Sequence, residues 1–428
     1  MFRIPSAKRA LLFTLVLLTI TDLSVFLDIP IFRQSLGFIL LTFVPGFLIL
    51  HILKLDQLKL TEKIVLSIGL SISFLMFFGL LINFIYPLLS YNTPLSINSV
   101  VMSFSIVTLT LAIIAHLRNG DTPFADLSVL RLNTKEKAFL VLPAFFPLLS
   151  ILGTHFLNTT NNNIMLLVLL FLIPAYITYI STQNKQVPEK IYPAAIFFTA
   201  ISLLFMYNLR SNYLIGSDIH EEYYLFQQTL QNGYWETFAN NPLDACLSIS
   251  ILPTIYQLFV NINPQYLYKV LYPFLFSFSP LVVFIISRKY LGSFYGFLAS
   301  SVFMLDQANF FSWGCVRTYV AIFFFILAIM VLFNDSLREL DKKLLFIIFA
   351  ISCIVSHYSS AYIFLFLLLF TWIGAQIIAK PKFTALSLGP TERTNSVNLI
   401  RTEETPAPIS SKLWLKKKIT FHHVTEVD

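Results

Sequence analysis

The sequence predicts an all-α, polytopic membrane protein of about twelve helices. Three observations carry that reading. Apolar runs of roughly 20 residues, the length a helix needs to cross a bilayer, recur along the chain. Of 428 residues, 57% are hydrophobic and only 12% charged, and a soluble domain this apolar would aggregate. Mean hydropathy is +0.75. Lysines and arginines also gather in every second loop, as they do on the cytoplasmic side of membrane proteins.

Taken in order, the first seven spans fall at 10–28, 34–53, 62–86, 97–117, 137–156, 164–182 and 191–209. Arg3, Lys8 and Arg9 place the N-terminus inside, and no small-residue cleavage site follows, so the first run reads as a retained helix and not a signal peptide. Lys54, Lys59 and Lys63, then Arg118, Arg131, Lys135 and Lys137, then Lys185 and Lys190, mark successive inner loops. The intervening loops carry little positive charge, and Asp28, Arg33 and the sequon Asn158-Thr159-Thr160 fall outside. Seven spans put Arg210 and everything up to the next crossing outside as well.

The stretch Gly216-Ser217-Asp218-Ile219-His220-Glu221-Glu222 begins this outer segment. Asp218 as N-cap with Glu221 three residues on reads as a capping box, and Ile219, Tyr223, Phe226 and Leu230 form an apolar stripe at helical spacing. Asn232-Gly233 ends the helix, giving an amphipathic helix over 219–231 on the outer surface. Tyr234, Trp235 and Phe238 suit the interface. The run 247–261 is too short to span and contains Pro253, so it reads as re-entrant or interfacial. Spans at 266–287, 294–310, 319–333, 344–355 and 358–378 complete the count, with both termini cytoplasmic. A membrane domain over 1–185, a second membrane module over 186–379 and a polar tail over 380–428, expected to be disordered, follow from these shifts. Lys416-Lys417-Lys418 resembles the inner flank of a further span, as if the chain were truncated.

Several function classes are excluded. The formal charge of +7 is spread over short loops, with no basic cluster among exposed aromatics, so no nucleic-acid partner is expected. Cys246, Cys315 and Cys353 stand singly, without zinc or disulfide spacing. No Ser or Cys nucleophile motif, Walker loop or dinucleotide fingerprint is present.

The topology gathers Asp218, His220, Glu221, Asp306, Asn309, Arg317 and His357 at the outer edge, where ionisable residues beside apolar spans are functional candidates. A carboxylate there can take a proton from an acceptor hydroxyl. Asp218 with Asp306 can hold a divalent cation such as Mg or Mn against a phosphate, and Arg317 and His357 can neutralise a phosphate leaving group. Each also has a plain structural use: Glu221 and Glu222 as a solvated helix face, His220 as a surface histidine, Asp306 with Arg317 as an ion pair, His357 as an interhelical hydrogen-bonding group.

A span, an acidic motif opening the first long outer loop, an interfacial helix, a span ending in Arg288-Lys289-Tyr290-Leu291-Gly292 and a small-residue span ending near Asp306 together resemble the GT-C superfamily of integral-membrane glycosyltransferases over 191–379. The motif reads Asp-Ile-His-Glu-Glu here, where that superfamily has Asp-Glu or Asp-Asp. More narrowly, 216–224, the Arg317 stretch and Ser356-His357-Tyr358-Ser359 look like a set of archaeal GT-C-like multi-pass proteins of unknown function. Phe43-Val44-Pro45-Gly46 with 60–67 is similar to a domain fused to them. The resemblance implies Asp218 as base or metal ligand, a polyprenyl-phosphate-linked sugar as donor, and a protein or glycolipid acceptor of the cell envelope. The reading from another class is a lipid-linked sugar transporter or scaffold. It calls for midplane charges and broken repeats, of which Asp22 in the first span is the one sign.

Overall fold

Long apolar runs fold as helices because a bilayer leaves backbone groups no partner except one another. The computed structural model describes residues 7–119, 131–236, 242–306 and 315–379, and among these it holds helices and no strand. In chain order they are α1 (Ala7–Phe26), α2 (Phe32–Ile52), α3 (Leu60–Leu88), α4 (Ile97–Asn119), α5 (Thr134–Thr160), α6 (Ile164–Thr182), α7 (Tyr192–Asn208), α8 (Asp218–Asn232), α9 (Ile251–Val260), α10 (Pro264–Phe276), α11 (Ser279–Leu291), α12 (Ser293–Leu305), α13 (Val316–Leu332), α14 (Glu339–Ile354) and α15 (Tyr358–Ala379). Residues up to Ile373 form one compact unit, and Gly374 begins a second. The expected tail over 380–428, Asn309 and Phe238 lie outside the described residues.

Among the described residues, eight stretches are long and apolar enough to cross a membrane: α2, α3, α4, α5, α6, Glu189–Asn208, Pro264–Leu291 and Tyr358–Ile377. The fold is that of a polytopic helical membrane protein. Stretches Leu11–Phe26, Ser293–Leu305 and Val316–Leu332 are apolar but shorter. The expected crossing at 266–287 is bent, α10 giving way to α11 at Ser277-Phe278 between Pro273 and Pro280.

Contacts between loops sort into two ends. At one end Arg288 faces Glu62 at 3.6 Å, Lys289 pairs with Asp335 at 2.7 Å and Lys190 with Glu136 at 2.6 Å. Gln57 donates to the Ser336 carbonyl and Arg338 to that of Leu53. At the other, Leu95 N–H donates to Gly233 O, Leu247 N–H to Val355 O, Asn158 to Leu209 O and Lys269 to Ser211 O. The first is the end the basic loops mark, and among the described residues these contacts do not cross between ends. Asn158, the sequon residue, lies inside α5 and donates its amide to the Leu209 carbonyl at the end of α7.

The 247–261 run holds one short helix, α9. Ten helical residues reach about 15 Å, half of a bilayer core. It is buried almost throughout, against the halves of α2, α3 and α4 nearer the non-basic end. Its last carbonyls would be orphans there. Buried Arg33 donates to Phe259 O at 2.7 Å and Leu258 O at 2.6 Å while pairing with Asp28 at 2.5 Å, so the charge at the start of α2 closes a short buried helix.

The Phe-Val-Pro-Gly stretch has a packing reason. Pro45 lacks the N–H that would continue the α2 ladder. A Cβ on Gly46 would sit 1.8 Å from Ser67 O, so only glycine lets α2 and α3 approach this closely, and Gly46 N–H donates to Ser71 Oγ at 2.8 Å. The obstructing atoms are backbone and cannot swing aside. Gly46→Ala is expected to cost at least the roughly 1–3 kcal/mol of an overpacked core. Thermal unfolding of the detergent-solubilised variant checks this, and a melting temperature equal to that of the native chain rejects the account.

Candidate functional site

Ser217 precedes α8 and Gly233 closes it in the left-handed conformation at φ 67°, as Asn232-Gly233 predicts. The start differs from the expectation. Asp218 is the first helical residue and makes no side-chain cap, so the capping box with Glu221 is not formed. Its Oδ1 accepts from Ser217 Oγ at 3.0 Å and its Oδ2 from Arg317 Nη2 at 2.9 Å. An ion pair with a sequestered guanidinium has outcompeted the backbone N–H groups for this carboxylate.

The larger correction is Glu222, read above as a solvated face. It is fully buried. One oxygen accepts from Arg317 Nη1 at 2.5 Å and the other from Val316 N–H at 2.9 Å, while Cys315 Sγ lies 3.4 Å away. Ile219, Glu222, Leu225, Phe226 and Thr229 are the buried positions of α8. At about 100° per residue, Glu222 is central to that face, which is rotated by roughly 60° from the stripe of Ile219, Tyr223, Phe226 and Leu230. Tyr268 from α10 supports it from beneath. Its hydroxyl shares one hydrogen between Glu222 O at 3.1 Å and Ile249 O at 2.9 Å, and its ring packs on Tyr223, Phe226 and Tyr272.

Arg317 opens α13 and is 6% exposed. Its fork is shared between Glu222 and Asp218, so the expected pair with Asp306 is replaced by two carboxylates from one helix. Its buried Nε–H has no partner among the described residues. The phosphate-neutralising role read for Arg317 is therefore largely taken up inside the protein. The cluster is not symmetric: the Glu222 side chain is 0% exposed and that of Asp218 48%, so one carboxylate anchors and the other is presented.

His357, between α14 and α15, joins the same cluster. Its Nδ1 lies 2.8 Å from Ser360 Oγ and 3.4 Å from Thr318 Oγ1, and Thr318 Oγ1 lies 2.9 Å from Cys315 Sγ. The 247–250 turn is bound to this linker by Leu247 N–H to Val355 O and Ser248 Oγ to Ser356 O. Asp218, Arg317 and His357 are thus brought together. His220 and Glu221 are exposed on the far side of α8, and Asp306 is exposed at the end of α12, outside the groups that hold Arg317.

The electrostatics follow the burial. The Ser217 hydroxyl, and after it the Arg317 guanidinium, holds Asp218 below the usual carboxylate range. Burial pushes Glu222 up, against the pull of Arg317. Burial, and then the nearby Arg317 cation, pushes His357 down to about 4, with Asp218 pulling the other way. The Cys315 thiol is pushed up to about 12 by burial and by Glu222, which leaves it protonated and a poor nucleophile at neutral pH. At pH 7 the cluster presents an ionised Asp218 and a neutral imidazole. Among the described residues no group of three His, Cys, Asp or Glu side chains has the spacing to hold a metal.

Two outcomes are expected. Glu222→Ala leaves Arg317 buried without its closest counter-charge and costs roughly 3–5 kcal/mol of stability, read by thermal unfolding in detergent. A variant as stable as the native chain contradicts the buried anchor. His357 is harder to protonate folded, at about 4, than at its ordinary 6.5. The folded state therefore binds fewer protons in that window, and the contribution of His357 is complete above pH 6.5 and lost as pH falls towards 4. His357→Gln flattens the pH dependence of melting over that interval, and an unchanged slope refutes the assignment.

No protein family, curated protein or solved structure matches the chain.

Proposed function

We propose that the protein is a GT-C-like membrane glycosyltransferase of about twelve spans, transferring a sugar from a polyprenyl-phosphate donor to a protein or glycolipid acceptor of the cell envelope. The reaction takes place at the outer face of the cell membrane, with both termini cytoplasmic. The observation that favours this reading is the presented half of the cluster. Asp218 is ionised, half-exposed and fixed by a buried arginine, at the membrane end opposite the basic loops, beside a neutral histidine.

In this reading Asp218 is the general base. It takes the proton of the acceptor hydroxyl as the acceptor oxygen bonds to the anomeric carbon of the sugar. The bond from that carbon to the phosphate oxygen breaks, and its electron pair leaves with the polyprenyl phosphate. In the same reading His357 contacts the leaving phosphate. Arg317 and Glu222 act as positioning residues, because their charges are spent on each other and on Asp218. A Mg or Mn ion on Asp218 and Asp306 fits less well, since both Asp218 oxygens already accept hydrogen bonds and one donor is itself a cation. No step here runs through a metal.

The test is Asp218→Asn, assayed in proteoliposomes with polyprenyl-phosphate sugars. Amide for carboxylate keeps the shape and removes the base, so transfer falls by roughly 10²–10⁴-fold while donor binding persists. Full transfer by a well-folded variant removes the proposal. Donor retention without turnover in the native chain favours the transporter or scaffold reading instead.

A further inference from the structure

Arg288, Lys289 and Gly292, from a stretch that the chemistry at Asp218 does not use, line a cavity of about 450 Å³ at the basic end of the bundle. That volume falls within the range of small-ligand sites, roughly 300–1,000 Å³. The cavity lies between the start of α3, the α11–α12 turn and the end of α13.

Its charges divide cleanly. Arg288 faces Glu62 at 3.6 Å, and Lys289 pairs with Asp335 at 2.7 Å while donating to Phe333 O. These four neutralise one another within the wall. Two lining charges remain without an ion-pair partner among the described residues, the Lys59 ammonium and the Glu189 carboxylate. Both are exposed. Among the described residues the wall therefore offers one cation and one anion outside its ion pairs.

A further polar feature favours an anion on one side. Helix α12 starts at Ser293 with Gly292 at its N-cap and no side-chain cap, and both residues line the cavity. Gly292 has φ 88°, with nothing within 4 Å of where a Cβ would project. The N-terminus of a thirteen-residue helix thus forms part of the wall of a cavity that Lys59 also lines. Ile285, Ile286, Met330 and Phe333 complete the wall with apolar surface.

We propose that this cavity binds the head group of a zwitterionic, primary-amine phospholipid, phosphatidylethanolamine in chemical class. The phosphate lies against Lys59 and the α12 N-terminus, the ammonium against Glu189, and the start of the acyl region against the apolar wall. A lipid with an anionic head and no amine would bring a second negative charge near Glu189 with no cation to meet it. The basic end is the level at which head groups meet a membrane protein. The site stands apart from the Asp218 cluster and does not depend on its activity.

The experiment is native mass spectrometry of the full chain in detergent, with phosphatidylethanolamine and phosphatidylglycerol of identical acyl chains in equal amounts. The native chain is expected to retain the ethanolamine lipid about tenfold better, the worth of one charge-assisted hydrogen bond. Glu189→Gln, at an exposed position and melting like the native chain, brings the two lipids to within about twofold. Lys59→Ala weakens both. Equal retention of the two lipids by the native chain, or a preference that survives Glu189→Gln, overturns the proposal. Soluble phosphoethanolamine at the same concentration leaves the lipid in place, and its displacement of the lipid identifies a free small-molecule site and overturns the lipid assignment.

Discussion

One buried guanidinium organises the end of the molecule that carries the candidate chemistry. Removing a charge from water costs several kcal/mol unless hydrogen bonds and counter-charge meet it. Arg317 is met by Glu222 and Asp218, one turn apart on α8. The demand of one side chain on α13 thus fixes the rotation of α8, its depth and the posture of Asp218. Tyr268 and the Ser248–Ser356 contact extend the constraint to α10 and to the linker that carries His357. The presented carboxylate is the exposed end of a structure whose other end is a sealed ion pair.

The same rule governs α9 and the α2–α3 contact. A ten-residue helix in apolar surroundings ends in carbonyls that need donors, and Arg33 supplies them. The N–H of Gly46, next to a proline in the ladder, goes to Ser71 Oγ. Where the chain departs from a plain transmembrane helix, a specific polar side chain from a distant segment completes it. The two membrane modules read from the sequence are accordingly joined face to face, α2 and α3 packing on α9 and Ser73 Oγ meeting Ser352 Oγ at 2.7 Å.

The two ends of the bundle carry different charge patterns. At the basic end lysines and arginines alternate with acids across loop contacts and around the cavity at Gly292. At the other end cations are few, and Arg33 and Arg317 are each buried against carboxylates of their own neighbourhood. The first pattern suits contact with lipid head groups, and the second suits a site in which one acid is held ionised for chemistry. Trp235 shows how the loops of the second end are fixed. Read from the sequence as an interface aromatic, it is buried, with its backbone bound in both directions by Asn83 and its indole N–H donating to Asp244 O.

What the sequence determined by itself was the part set by local composition. Candidate spans follow from runs of apolar residues, the shortness of the helix within 247–261 from its own residues, and the stop of α8 from Asn232-Gly233. Each is decided by residues within about 20 positions, which is why it can be read in one dimension. Asp218, Arg317 and His357 were legible as expensive charges beside apolar spans. Their partnership was not, and Glu222 was assigned the opposite environment. Two faces of α8 were apolar enough to bury, and the choice between them was made by a guanidinium 95 residues away. Only tertiary packing decides which face of a short amphipathic helix is desolvated, because the counter-charge that makes burial of a carboxylate tolerable comes from another part of the chain.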